Sequence, residues 1–252
     1  MTPETRAAIH GHALADYPSE SCGLVVVRKG RERYMPCRNV AADPKAHFVL
    51  CPQDYAMADD AGEIVAIVHS HPDVPARPSE ADLVQCEASG IPWIIVSVMP
   101  GASCPVVTDT HIVEPTGYKA PLVGRSWSHG TLDCWALVRD WYAMERGVSL
   151  PDPYRADDWW NDGHSDLYGD RAMESAGFFR IDLESVIAGD VILMQIRAAN
   201  LVPNHAAIYL GDGLILHHLY GRLSSRDVFG GYWQEVTRSV WRHASSSLVT
   251  TE

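Results

Sequence analysis

The sequence predicts a mixed α/β chain of α+β class, in two domains, on three observations. From residue 22 to residue 99, short apolar runs alternate with capped segments of helical character. Between about 114 and 128 that periodicity stops. Beyond the break the order changes to one helix that opens on a cysteine, an irregular stretch rich in Trp and Asp, and then strand signals in succession. Domains are therefore expected at 1–116 and 117–252, each of ordinary domain size.

The elements follow in order. "CGLVVVRKG" (22–30) reads as an apolar strand ending in a turn, and "PQDYAMADDAG" (52–62) as a helix closed by Gly62. "EIVAIV" (63–68) is a buried strand running straight into His69, after which Pro72 stops it. "SEADLVQCEASG" (79–90) is a capped helix ended by Gly90, and "PWIIVSVM" (92–99) is a second buried strand. "EPTGYKAPLVGRSWSHG", from 114, carries two prolines and three glycines without amphipathic pattern and reads as a linker. "DCWALVRDWYAMERG" (133–147) is a helix, and strands are expected at 189–196, 205–213 and 214–220.

Composition narrows the function classes. A 46% hydrophobic content is enough to bury a core, and a net charge of -12 repels phosphate backbones, so neither nucleic acid nor an anionic membrane surface is an expected partner. No stretch approaches the ~18 apolar residues of a bilayer span, so the chain is not expected to span a membrane. The start, "MTPETRAAIHGHALADYPSE", lacks an apolar core and carries early acids, unlike a signal peptide, so synthesis is expected to end in the cytoplasm. The six cysteines form no C-x-x-C pair, which argues against a thiolate zinc knuckle and a dense disulfide framework.

"HSHPDVPARPSEAD" (69–82) gathers His69, His71, Ser79 and Asp82. Ser79 and Asp82 alone make a capping box. The histidines, two apart on a strand, point to one side, and Asp82 in the first turn of the next helix can swing back toward them. Two imidazoles and a carboxylate fill three corners of a tetrahedron and leave the fourth for water, the layout of a catalytic zinc site. Such a site needs a base that is not a ligand; Glu20 and Glu63 are the candidates. H-S-H, seven residues, S-x-x-D resembles the JAMM (Mov34/MPN-type) metalloprotease signature, and "YPSESCGLVVV" (17–27) resembles that family's N-terminal segment. The resemblance, over about residues 5–113, implies an α-β-α domain, a Zn2+ cofactor held by His69, His71 and Asp82, Glu20 as general acid/base, and Ser79 stabilising the tetrahedral intermediate.

In the second half, "TLDCWALVRDWY" puts Asp133 at an N-cap and Cys134 just inside the helix, where exposed N–H groups and the macrodipole favour a thiolate. A buried packing cysteine is the plainer reading. A histidine on a strand downstream, in "HAAIYLGDGLILHH", supplies a base for the thiol. A three-residue turn at 211–213 puts His217 on the face of His205; a two-residue turn at 212–213 puts His218 there. "DCWALV" with "HAAIYLGDGLILHH" is similar to the NlpC-type cysteine peptidases of the papain-like group, over about 125–220. That similarity implies a cysteine-bearing helix on an antiparallel sheet, with Cys134 as nucleophile, His205 as base and His217 as its orienting partner. "DCWA" stands where many members have D-C-S-G, and Trp127 is the available aromatic residue ahead of the cysteine.

The two domains in this order resemble the tail tip assembly proteins of lambda-like phages. The resemblance implies a two-domain hydrolase made in the host cytoplasm and carried in the tail tip or virion. Its partners would be peptidoglycan stem peptides, cut near the γ-D-glutamyl–diamino acid bond, and other phage tail tip proteins. The metalloprotease substrate stays open. Two other readings are a non-catalytic assembly module and a cellular peptidoglycan-remodelling peptidase.

Overall fold

Two sheets organise residues 1–248, those described by this computed structural model; one lies in the unit Met1–Lys119, the other in the unit that begins at Ala120. The first unit opens with α1 (Pro3–Asp16), where Thr2 caps by accepting from the Thr5 N–H at 3.1 Å. Strands β1 (Cys22–Arg28) and β2 (Arg31–Cys37) form a hairpin over Lys29-Gly30, both at positive φ. Then come α2 (Pro52–Ala61), β3 (Glu63–Pro72), α3 (Glu80–Ser89), β4 (Trp93–Met99) and β5 (Val106–Val113). Gly62 joins α2 to β3 because a Cβ there would lie 2.5 Å from the Val27 carbonyl oxygen.

The sheet order is β2-β1-β3-β4-β5, with β3 and β4 parallel and α3 as their crossover. Ile9 and Ala13 of α1 pack on Val25, Ala66, Val68, Ile94 and Val96. Ala58 of α2 and Cys86 of α3 cover the opposite face, with Leu24, Val26, Ile67, Trp93 and Ile95. The alternation gives the expected α-β-α layering. It also sends His69 and His71 to the side of Ile67 and α3, and Ser70 to the side of α1. Helix α1 and strands β2 and β5 lie outside the sequence reading. The two strands flank the sheet with one face toward solvent, and polar residues interrupt both, so neither shows an apolar run.

In the second unit α4 (Cys134–Arg146) is capped by Asp133, whose Oδ1 accepts the Ala136 N–H at 2.9 Å, and ends at Gly147 with φ +64. After an irregular stretch come α5 (Asp170–Ser175), β6 (Phe178–Ile181), β7 (Val191–Met194), β8 (His205–Gly211), β9 (Leu214–His217), β10 (Ser225–Val228), α6 (Tyr232–Glu235) and β11 (Thr237–His243). The antiparallel sheet runs β10-β9-β8-β7-β11-β6. Leu137, Val138 and Trp141 of α4 pack on Val191, Leu193, Ala206 and Ile208, so the cysteine-bearing helix lies on the sheet as predicted. Ile192, Met194, Ala207, Ile215 and Val240 form a core on the other face.

The β8–β9 hairpin combines the two alternatives left open by its sequence. Gly211 pairs with Leu214, so the turn is the two residues Asp212-Gly213. A bulge between Tyr209 and Gly211 then adds one residue and shifts the parity. From Tyr209↔Ile215 backward, the pairing is that of a three-residue loop, with Ala207 opposite His217. Among the described residues no helix is long and apolar enough to cross a membrane.

A candidate metal centre and a candidate thiol site

His69 and His71 stand at the carboxyl end of β3, and the crossover returns α3 so that its first turn faces them. His69 Nε2 is 3.0 Å from His71 Nε2; Asp82 Oδ1 is 3.4 Å from the first and Oδ2 3.5 Å from the second. Among the described residues these three side chains are the group whose donor atoms converge as metal ligands do. A tetrahedron with ~2.0 Å arms has edges of ~3.3 Å, so the spacings suit one face of a zinc site. The tautomer of His71 agrees: Nδ1–H donates to the Pro75 carbonyl at 3.1 Å, leaving Nε2 with its lone pair. His69 is fully buried, stacked on Phe48 at 4.6 Å and edge-on to Trp93 at 5.5 Å. Its Nδ1 has no partner among the described residues. The residues present fit zinc.

Burial drives the His69 ring toward its neutral form. Burial acts the same way on His71, but hydrogen bonds with Asp82 and Pro75 outweigh it and raise that ring's pKa. Burial also opposes the charge on Asp82, yet the hydrogen bonds to both imidazoles hold its carboxyl well below the usual carboxylate range. Glu20 is 8% exposed, and burial pushes its carboxyl up to about 8, with His71 opposing and Asp82 adding to the shift. Its backbone is tied from three directions: Glu20 N–H donates to Pro44 O, Asn39 Nδ2 donates to Glu20 O, and the next residue, Ser21, donates N–H to Ser70 Oγ at 2.8 Å. Glu63, the alternative base, is exposed at the far end of β3, six residues from His69. Ser79 closes a capping box: Oγ donates to Asp82 Oδ2 at 2.7 Å and accepts the Asp82 N–H at 3.1 Å. Its hydroxyl proton is thus committed to Asp82, and stabilising an intermediate would require that donor to rotate away.

In the second unit Cys134 opens α4, and the N–H of Ala206, next to His205, is directed at its sulfur. Tyr168 OH lies 3.7 Å from Sγ. His205 Nε2 is 2.9 Å from His217 Nδ1, so the bulged hairpin puts His217, not His218, beside it. His217 Nε2 continues to Asp227 Oδ2 at 3.0 Å. Trp233 packs edge-on against His217 at 4.5 Å. His218 turns to the other face, where Nε2–H donates to Arg222 O and the ring meets Trp127 edge-on at 5.1 Å. Trp127 is therefore a neighbour of His218.

One expectation is reversed. The helix N-terminus was expected to favour the Cys134 thiolate, but burial pushes the thiol up to about 11, with the Asp133 charge adding to it. At 4% exposure, lost hydration of the anion exceeds what the helix end and the Ala206 N–H return. Burial, then His217 and His218, likewise pushes His205 down to about 3. At rest the pair is thiol and neutral imidazole.

The sequence reading missed Asp227, Tyr168, and the buried Arg155, whose Nε donates to Asp133 Oδ2 at 2.6 Å beside the cysteine. Asp227 has no spacing signature. It faces His217 because β10 pairs with β9 with Asp227 opposite Ile215, two residues from His217 on the same face.

Comparison with known proteins gives both halves counterparts in the order the motifs imply. Residues 2–109 match the family described as prokaryotic homologs of the JAB domain, and residues 123–242 match the NlpC/P60 family. Tail tip assembly protein K of Escherichia phage N15 is 43% identical over 244 residues, covering 96% of this chain and 96% of that protein. Its namesake from Escherichia phage lambda is 40% identical over 194 residues, 77% of this chain and 89% of the relative. A probable TtuB-protein conjugate cleaving protease of Thermus thermophilus is 35% identical over 100 residues, 38% of this chain and 64% of that one.

Proposed function

The chain belongs to the family of tail tip assembly protein K, and from that premise we propose that it is a tail tip component with two hydrolytic heads, a zinc-dependent peptidase or isopeptidase and a cysteine endopeptidase acting on peptidoglycan stem peptides. Its partners on this reading are those peptides and other tail tip proteins. What supports the reading is that His69, His71 and Asp82 converge in one unit, while in the other His217 meets His205 and the N–H of the adjacent Ala206 is directed at Cys134.

In the cysteine head, substrate entry sets proton transfer from Cys134 Sγ to His205 in motion. The sulfur attacks the carbonyl carbon of the γ-D-glutamyl–diamino acid bond. As the tetrahedral adduct collapses, the imidazolium of His205 returns the proton to the departing amine, leaving an acyl-enzyme. Water, deprotonated by His205, then releases the acid and restores the thiol. His217 holds the imidazole in line throughout.

In the other head, zinc held by His69, His71 and Asp82 would supply Lewis acidity and a water of lowered pKa. Glu20, buried within electrostatic reach of His71 and Asp82 but not one of the three ligands, would as a carboxylate take a proton from the attacking water and deliver it to the leaving amine. The Ser21–Ser70 hydrogen bond ties the segment that carries Glu20, just ahead of β1, to Ser70 between the two histidines, so Glu20 and the histidines share one support.

A second reading, a module that serves assembly without catalysis, draws on one observation: the resting Cys134–His205 pair is uncharged. Purified muropeptides incubated with the intact chain and with Cys134→Ala, followed by mass spectrometry, separate the two. Stem cleavage that survives a chelator and disappears in Cys134→Ala is the expected result. No cleavage by the intact chain would favour the assembly reading.

A further inference from the structure

The line of contacts that begins at His205 does not stop at His217. Both nitrogens of His217 are engaged, Nδ1 with His205 Nε2 at 2.9 Å and Nε2 with Asp227 Oδ2 at 3.0 Å. A carboxylate accepts and does not donate. The proton between His217 and Asp227 must therefore sit on His217 Nε2. A neutral imidazole carries one proton, so His217 Nδ1 is bare and accepts. His205 Nε2 then supplies the proton of the contact between the rings, which leaves His205 Nδ1 unprotonated. That is the state a base needs before it takes a thiol proton.

We propose that Asp227 is a positioning residue that fixes the tautomers of His217 and, through it, His205, leaving His205 Nδ1 as the proton acceptor for Cys134. The role rests on the cysteine-peptidase reading for its purpose but on the hydrogen-bond chain for its existence. The ladder supports it: β10 pairs with β9 from Ser225↔His217 to Val228↔Leu214, which puts Asp227 on the face of Ile215 and His217. Trp233, edge-on to His217 at 4.5 Å, restricts the ring on that same face. When His205 takes the Sγ proton, its charge is met by the bare His217 Nδ1, and the Asp227 carboxylate holds the far end of the line. No proton needs to leave His217.

The test is long-range 1H–15N correlation on chain labelled with 15N at histidine, at neutral pH, with resonances assigned by difference from His205→Gln and His217→Gln. In the intact chain both rings should carry their proton on Nε2. In Asp227→Ala, His217 should redistribute between its two forms and His205 should follow, while Asp227→Glu keeps the original pattern. Asp227→Ser takes the place of the alanine variant if that one does not fold. On muropeptides, kcat should fall ~10-fold or more in Asp227→Ala with KM within about two-fold, and Asp227→Glu should recover most of it. Tautomers unchanged in Asp227→Ala, or a proton on His217 Nδ1 in the intact chain, would overturn the proposal. So would an unchanged kcat in an intact chain that cleaves. A tautomer shift in Asp227→Ala alongside an intact chain that cleaves nothing supports the positioning role and removes the peptidase reading instead.

Discussion

The two units each bring a pair of histidines together, and they do it in opposite ways. In the first, the pair is two residues apart on one strand, so strand geometry alone points both rings the same way, and a parallel crossover returns Asp82 to meet them. In the second, the pair is twelve residues apart on two antiparallel strands, and a single bulged residue decides which histidine faces His205. The first pair faces carboxylates, Asp82 directly and Glu20 through its charge, as a cation site should. The second is arranged in a line, His205 to His217 to Asp227, so that each hydrogen bond fixes the orientation of the ring before it. Convergence suits binding and linearity suits the orienting of a base. Spacing in the chain shows the first far more directly than the second.

The sharpest way to break this contrast is metal uptake. The chain should bind about one zinc, the double variant His69→Ala, His71→Ala should lose it, and Glu20→Gln should retain it. Cys134→Ala and His205→Ala should leave the stoichiometry untouched. Equilibrium dialysis with metal analysis decides; zinc lost with His205 instead would reverse the assignment of roles to the two units.

Thiol labelling gives the next effect in size. Cys104 is exposed, whereas the other five cysteines are buried. The expected order near pH 7 is Cys104 first, with Cys134 about 100-fold slower or more, since each unit that a thiol pKa rises above ~8.5 cuts the thiolate tenfold. Mass-spectrometric mapping of iodoacetamide adducts over time reads both rates. Cys134 labelling ahead of Cys104 would mean that the helix end and His205 prevail over burial after all.

The smallest effect is on stability in mild acid. Unfolded, His205 takes up a proton below ~6.5; folded, it does so only near pH 3. The unfolded state therefore binds the proton first. Stability from this ring is fully present above ~6.5 and is lost as pH falls toward 3, by about 1.4 kcal/mol per pH unit. His218, pushed down to about 4 by burial and then by Arg125, acts in the same direction. Urea melts of the intact chain between pH 7 and pH 5, followed by tryptophan fluorescence, should show the transition of the second unit moving to lower urea, and His205→Gln should flatten the slope.

The same contrast explains what was legible in the chain. A buried strand that ends in two histidines, followed by a capping box, states its own geometry, because side-chain direction within a strand and the position of a first helical turn are local properties. The convergence of His69 and His71 with Asp82, the cysteine at a helix start and the mixed α/β class were all readable on that basis. Polar flanking strands such as β2 and β5 were not, since their exposed faces need no apolar run. Tertiary structure alone decided three further things. The bulge after Tyr209 selected His217 over His218, an arrangement the two-residue turn by itself would have excluded. Strand pairing brought Asp227 to His217 from a position without any motif. And burial reversed the direction expected for the Cys134 thiol, because the hydration an ion loses depends on everything packed around it, which no stretch of neighbouring residues specifies.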